Sequence, residues 1–171
     1  MQERNKDYFW ESSKIGNIGI DIVKTLLSND NITVQDMQKD TEYMNKDIDL
    51  ISFKNGYETL IEVKTDTYFD KTGNLFIEEN ANDGPGWLYK TRSNYVYYVF
   101  PEHRVYVIYV EEFKAWFEQN RDRFTTKTSK TTDKHGNFWY YSIGKVINHS
   151  IIDELDFIYY INLEPSIKEA V

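Results

Sequence analysis

Two carboxylates and an amine, Asp49, Glu62 and Lys64, stand in a stretch that otherwise alternates like paired β-strands. Hard divalent cations take carboxylate oxygens and keep several of their waters. Two acids a few ångströms apart therefore leave positions open for a phosphate oxygen and an attacking water. A lysine beside them can orient that water or meet the charge that develops on the phosphorus oxygens. These residue types suit metal-assisted hydrolysis of a phosphodiester. They also fit solvated residues on the outer face of an edge hairpin, because short charged motifs recur by chance.

The elements that must position them are legible around the triad. The segment 47–53 is short and rich in isoleucine, and it ends at Lys54-Asn55-Gly56-Tyr57, where Asn-Gly signals a two-residue hairpin turn. Residues 58–64 supply the second strand, whose period of two puts Leu60, Glu62 and Lys64 on one face and Ile61 and Val63 on the other. Pairing about Asn55-Gly56 places Asp49 opposite Glu62. Upstream, the segment 13–27 spaces Ile15, Ile18, Ile22, Val23 and Leu26 along one side of a helix.

Downstream, 66–86 reads as irregular, with turn signals at 71–74 and 82–86, and 87–92 as a short helix. Residues 94–100 and 104–110 are predicted strands joined at Pro101-Glu102. The segment 111–124 is predicted as an amphipathic helix with Phe113, Trp116 and Phe117 on its apolar side. The polar run Thr125–Gly136 reads as a loop, and 138–143 and 157–163 as late strands. No internal repeat is visible.

With these residues in view, the chain resembles the PD-(D/E)xK nuclease superfamily, whose pattern is an Asp at the end of one strand, then Glu/Asp-x-Lys on the next. Asp49 and Glu62-Val63-Lys64 match it. So do the amphipathic helix ahead of them and, after them, an extended segment carrying Glu78 and Glu79, a short helix and a further strand. That order is similar to the one in uncharacterised, often phage-linked members. The resemblance covers about residues 11–118 and leaves 119–171 as an extension of a single domain. It implies an α/β fold with a restriction-endonuclease-like three-layer core, a mixed central β-sheet flanked by helices. It also implies Mg²⁺ or Mn²⁺ held by Asp49, Glu62 and the backbone carbonyl of Val63, with Lys64 acting on the water.

The resemblance has one departure. Many members carry Gly-x-x-Gly-Glu on the first helix, with that Glu in the metal shell, whereas here Gly16-x-x-Gly19 runs into Ile20. Glu11 or Asp21 can substitute, although Asp21 also reads as a solvated helix residue with Ile18 and Ile22 flanking it on the apolar stripe. Glu78 is a further candidate ligand, with Glu79 as its rival, since strand alternation lets only one of the two face the site.

Composition frames these expectations. A chain of 171 residues can bury one good core but is short for two domains. The absence of Cys excludes disulfides and thiolate metal sites, and no apolar run approaches a membrane span or signal segment, so a soluble cytoplasmic protein is expected. His103, His135 and His149 lack the spacing of a helical zinc pair. No phosphate-cradling glycine loop, dinucleotide fingerprint or nucleophile elbow is present. Fourteen Tyr and four Trp belong mainly to core or interface, and Tyr97, Tyr98, Tyr106 and Tyr109, alternating with Val and Ile, read as packing residues with hydroxyls at the surface.

A formal net charge of −8 gives no global attraction to a polyanion, so local distribution decides. From Asp30 to Glu62 there are eight acids and three bases, whereas Arg121 to Lys134 holds five bases and two acids. Lys90, Arg92, Lys127, Lys130 and Lys134 are the candidate phosphate contacts, and binding to nucleic acid, DNA ahead of RNA, is expected to be weak and salt-sensitive. The acidic balance equally suits a non-catalytic module of the same fold that binds a protein or nucleic acid, and a homodimer fits either reading.

Overall fold

The computed structural model describes residues 4–82, 84–132 and 138–163. In chain order the elements are α1 (Arg4–Asn29), β1 (Thr33–Asp36), α2 (Thr41–Met44), β2 (Leu50–Lys54), β3 (Tyr57–Thr65), α3 (Phe69–Thr72), β4 (Asn74–Ala81), β5 (Gly84–Pro85) and α4 (Trp87–Lys90). They continue with β6 (Tyr95–Phe100), β7 (Arg104–Tyr109), α5 (Val110–Asn120), a 3-10 turn (Arg121–Arg123), β8 (Thr125–Thr132), β9 (Phe138–Asn148), α6 (His149–Ile152) and β10 (Ile158–Asn162). The architecture is mixed α/β. Six strands form a sheet in the order β1-β2-β3-β6-β7-β10, and four form a second sheet in the order β5-β4-β9-β8. Within the larger sheet β3 and β6 are parallel and every other neighbour is antiparallel.

Alternation along β3, β6 and β7 sorts the two faces of the larger sheet. On one face Leu50, Ile61, Val63, Tyr97, Val99, Val105 and Val107 pack with Ile20, Ile22, Val23 and Leu27 of α1. On the other, Val96, Tyr98, Phe100, Tyr106 and Ile108 meet Leu75, Ile77 and Ile147 of the second sheet, Trp87 and Leu88 of α4, and Phe113 and Phe117 of α5. Each fully buried aliphatic or aromatic side chain contributes about 1.5–3 kcal/mol of transfer free energy. A helix therefore covers one flank, as expected from the sequence, while the other flank carries a four-stranded sheet as well as helices. No described helix is long and apolar enough to cross a membrane.

Asn31 at φ 57 ends α1 in the left-handed conformation that asparagine tolerates, and the amide of Ile32 returns to the carbonyl of Leu27 at 3.0 Å. The helix lies so close to β3 that a Cβ on Gly19 would stand 2.0 Å from Thr65 Oγ1, whereas Gly16 has open space. Gly19→Ala should destabilise the fold by about 1–2 kcal/mol, because overpacking outweighs the roughly 1 kcal/mol of helix propensity that alanine adds. Thr65→Ala in the same chain should restore most of the loss. Denaturant unfolding of the single and double variants tests the close approach, and a Gly19→Ala protein as stable as wild type would disprove it.

Several expectations are corrected. Residues 125–132 are not loop but the edge strand β8, paired with β9 from Thr125–Val146 to Thr132–Phe138. Threonine is β-branched and favours extended backbone, and lysine on an edge strand discourages pairing with other chains, so a polar run can be a strand without an apolar face. Residues 133–137 lie outside the described set. Within 66–86 the turn signals bracket a real strand, β4, in which Leu75 and Ile77 point into the core while Asn74, Phe76 and Glu78 are half-buried. β1 has no apolar alternation to announce it. The hydroxyls of Tyr98 and Tyr106 do not reach the surface. Tyr98 donates to Asp66 at 3.0 Å and accepts from the Phe76 amide at 3.2 Å, and Tyr106 donates to Asp153 at 2.6 Å.

Candidate active site

β2 and β3 pair from Leu50–Ile61 to Lys54–Tyr57, in the register that Asn55-Gly56 predicts. Asn55 and Gly56 take φ of 53° and 82°, the two positive values that a tight hairpin of this twist requires. Beyond Leu50 the pairing changes character. The amide of Asp49 donates to the Ile61 carbonyl at 2.9 Å, and the amide of Val63 donates to Asp49 Oδ2 at 2.8 Å. The carboxylate of Asp49 thus takes the amide that a longer β2 would have taken, and residues 62–65 of β3 run on beyond the ladder with β2. Asp49 is held beside Glu62, as the hairpin register predicts.

Glu62 and Lys64 project from the same face of β3, with Lys64 Nζ 2.6 Å from Glu62 Oε1. In parallel register they neighbour Val96 and Tyr98, so they lie on the face that carries α4 and the second sheet, away from α1. Glu62 is only 4% exposed. Burial pushes its carboxyl up to about 8, with Asp49 adding to the rise and Lys64 opposing it. Burial likewise raises Asp49, which the Val63 amide and Lys64 only partly offset. For Lys64 burial alone would lower the ammonium, but the charge and hydrogen bond of Glu62 outweigh it and hold the amine above its ordinary range. Glu62 Oε1 accepts from that ammonium whether or not Oε2 carries a proton. Two carboxyls walled off together hold a proton to unusually high pH, and a divalent cation can take that proton's place.

Asp47, which sequence reasoning passed over, helps fix the approach to Asp49. Its carboxylate meets Lys90 Nζ at 2.6 Å, its carbonyl accepts from Thr91 Oγ1 at 2.9 Å, and the Arg92 amide donates to the Lys46 carbonyl at 2.8 Å. The sequence shows only that Asp47 and Asp49 are two apart, and the partners of Asp47 lie more than forty residues on. Lys90, expected to contact phosphate, therefore faces Asp47, and Arg92 is exposed.

The remaining candidates separate cleanly. Glu78 is half-buried and lines an open cleft of about 260 Å³ together with Lys64, Thr65, Asp66, Phe76, Trp87 and Tyr98. Glu79, where β4 shifts register against β9, is buried and pairs with Arg121 at 2.5 Å instead of lining the cleft. Asp21 is exposed on α1, the helix that covers the opposite face of the sheet from Glu62 and Lys64. The side chain of Glu11 lies outside the described residues. For Val63, the atom that meets Asp49 is the amide. Lys127 and Lys130 are exposed on β8, and Lys134 lies outside the described residues. Among the described residues no three acidic or histidine side chains converge as a metal-holding group, so the donor set shown is the pair Asp49 and Glu62, with Glu78 in the adjoining cleft. In comparisons with known proteins the chain matches no family model, no curated protein and no solved structure.

Proposed function

We propose that this protein is a divalent-metal-dependent nuclease of restriction-endonuclease-like, PD-(D/E)xK architecture that hydrolyses phosphodiester bonds in DNA. The observation that carries this reading is the hydrogen bond from the Val63 amide to Asp49, which sets one carboxylate beside Glu62 while Lys64 shares the face of Glu62. The donor set fits a hard cation: two carboxyls held together and strained towards protonation gain from a divalent charge. Asp49 and Glu62 would hold Mg²⁺ or Mn²⁺, which when bound supplies charge for the phosphate oxygens and a more acidic water. Lys64, one-third exposed at the cleft, can donate to the attacking water or to a phosphate oxygen. Glu78 is the acid best able to approach from across the cleft.

The deciding experiment is a cleavage assay on single-stranded, duplex and branched DNA and on RNA with Mg²⁺, Mn²⁺ or EDTA, and Glu62→Ala as control. Metal-dependent cutting that the variant lacks is the expected result. A second reading, a non-catalytic binding module of the same fold, draws on the close Lys64–Glu62 contact and the two-acid donor set. Folded wild-type protein that cuts none of these substrates would overturn the nuclease reading and favour the binding module.

A further inference from the structure

Beside the cleft lies a larger groove of about 730 Å³, bounded by Ile15 and Gly16 of α1, the end of β3, the segment 66–72, β4 and β8. Thr65, Asp66 and Phe76 line both, so groove and cleft meet at the end of β3, next to Lys64. Hydroxyls are the commonest polar groups on a groove wall that is otherwise largely apolar, among them those of Thr67, Thr72, Thr128 and Ser129. Among the described residues Lys127 is its one lining base and Asp66 its one lining acid. Asp66 is already engaged, since Oδ1 accepts from the Tyr68 amide at 2.7 Å and Oδ2 from the Tyr98 hydroxyl at 3.0 Å. At the rim Tyr68 is 60% exposed, with Lys71 Nζ 5.3 Å from its ring centre.

A chain of net charge −8 with one lysine in the groove gains little from phosphate neutralisation, which is the term that dominates binding to a duplex. Stacking is the other large term, worth about 1–3 kcal/mol per base, and only an unpaired base presents its face to an aromatic ring. The groove offers a large exposed ring, hydroxyls able to bond phosphate and sugar oxygens, and one cation. We propose that it receives a single-stranded segment of nucleic acid leading into the cleft, with Tyr68 as the platform for an unpaired base and Lys127 as a phosphate contact. This rests on the nuclease reading for the identity of the cleft, but it concerns binding and is testable without cleavage.

The test is fluorescence anisotropy on the full chain in EDTA, with labelled oligo-dT and oligo-rU against a duplex of the same length. The single strands should bind at least several-fold more tightly than the duplex, and the tighter of the two identifies the preferred strand. Tyr68→Ala should weaken single-strand binding about tenfold while Tyr68→Phe retains it. Lys127→Ala should weaken it less and make the salt dependence shallower by about 0.7 in log–log slope. Tyr68 is exposed, so its truncation leaves the core intact, which circular dichroism verifies. Absence of single-strand binding, equal or tighter duplex binding, or a Tyr68→Ala protein that binds like wild type would each overturn the proposal. Metal-dependent cutting of duplex that is indifferent to Tyr68 would leave the nuclease standing and remove the groove. Tyr68-dependent binding without cutting under any metal would do the reverse.

Discussion

Lys64→Ala should lower the cleavage rate by at least about 10²–10³-fold while leaving both metal-binding carboxyls in place, and Glu62→Gln should lose cleavage and metal binding together. The asymmetry follows from the positions. Glu62 is a buried carboxyl beside Asp49, so converting it to an amide removes half of the donor set and leaves one acid, a weak site for a hard cation. Lys64 carries no oxygen ligand, and in the proposed reaction its ammonium would leave Glu62 to meet water or phosphate.

The lysine has a second effect that must be separated from the first. It is the group that most strongly opposes the upward push on Glu62, so in Lys64→Ala the acid keeps its proton to still higher pH. Metal affinity in that variant should therefore drop near neutrality and rise again with pH, whereas cleavage should not recover. Isothermal titration with Mn²⁺ across a pH series, beside single-turnover rates, makes the distinction. Cleavage by Lys64→Ala at the wild-type rate would remove the role assigned to the amine.

The triad was legible because hairpin geometry is local. Asn55-Gly56 sets the register, and the register sets which side chains face each other, so Asp49 beside Glu62 and Lys64 above it follow from a dozen or so residues. What lay beyond local pattern was missed. That α1 covers the opposite face, leaving Asp21 apart from the cluster, depends on the parallel β3–β6 pairing, a contact between distant segments. β8 escaped because its extended backbone is stabilised by β9 and by threonine rather than by an apolar stripe. The choice between Glu78 and Glu79 was posed correctly by alternation but could be decided only once Leu75 and Ile77 were seen to face the core, sending Glu79 to Arg121 and Glu78 to the cleft. Asp47 shows the same limit, because its partners on and after α4 lie more than forty residues away.

In metal-free protein the stability contributed by Glu62 should decline as pH rises from about 4.5 to about 8, and Glu62→Gln should remove that decline. The folded carboxyl sits at about 8 against an ordinary 4.5, so the folded state binds the extra proton between those values. The contribution is complete below the lower value and is lost as pH passes the upper one, a swing on the order of a few kcal/mol. Asp49 is raised as well and acts in the same direction. The upward pull on Lys64 comes from ionised Glu62 and so develops only as the Glu62 proton leaves. The neutral amide introduced by Glu62→Gln imitates the protonated acid, so the variant should match wild type at pH 5 and exceed it in thermal stability at pH 9. Mn²⁺ should have the opposite pH profile. It displaces the proton, so its stabilisation of wild type should grow as pH climbs through about 8 and be absent in Glu62→Gln. Thermal unfolding of both proteins at pH 5, 7 and 9, with and without Mn²⁺, measures all of this in one series. A metal shift that is flat with pH, or that survives in Glu62→Gln, would place the cation away from Glu62. A variant no more stable than wild type at pH 9 would mean that Lys64 already holds Glu62 ionised well below pH 8 in the folded protein, with the 2.6 Å contact a full ion pair.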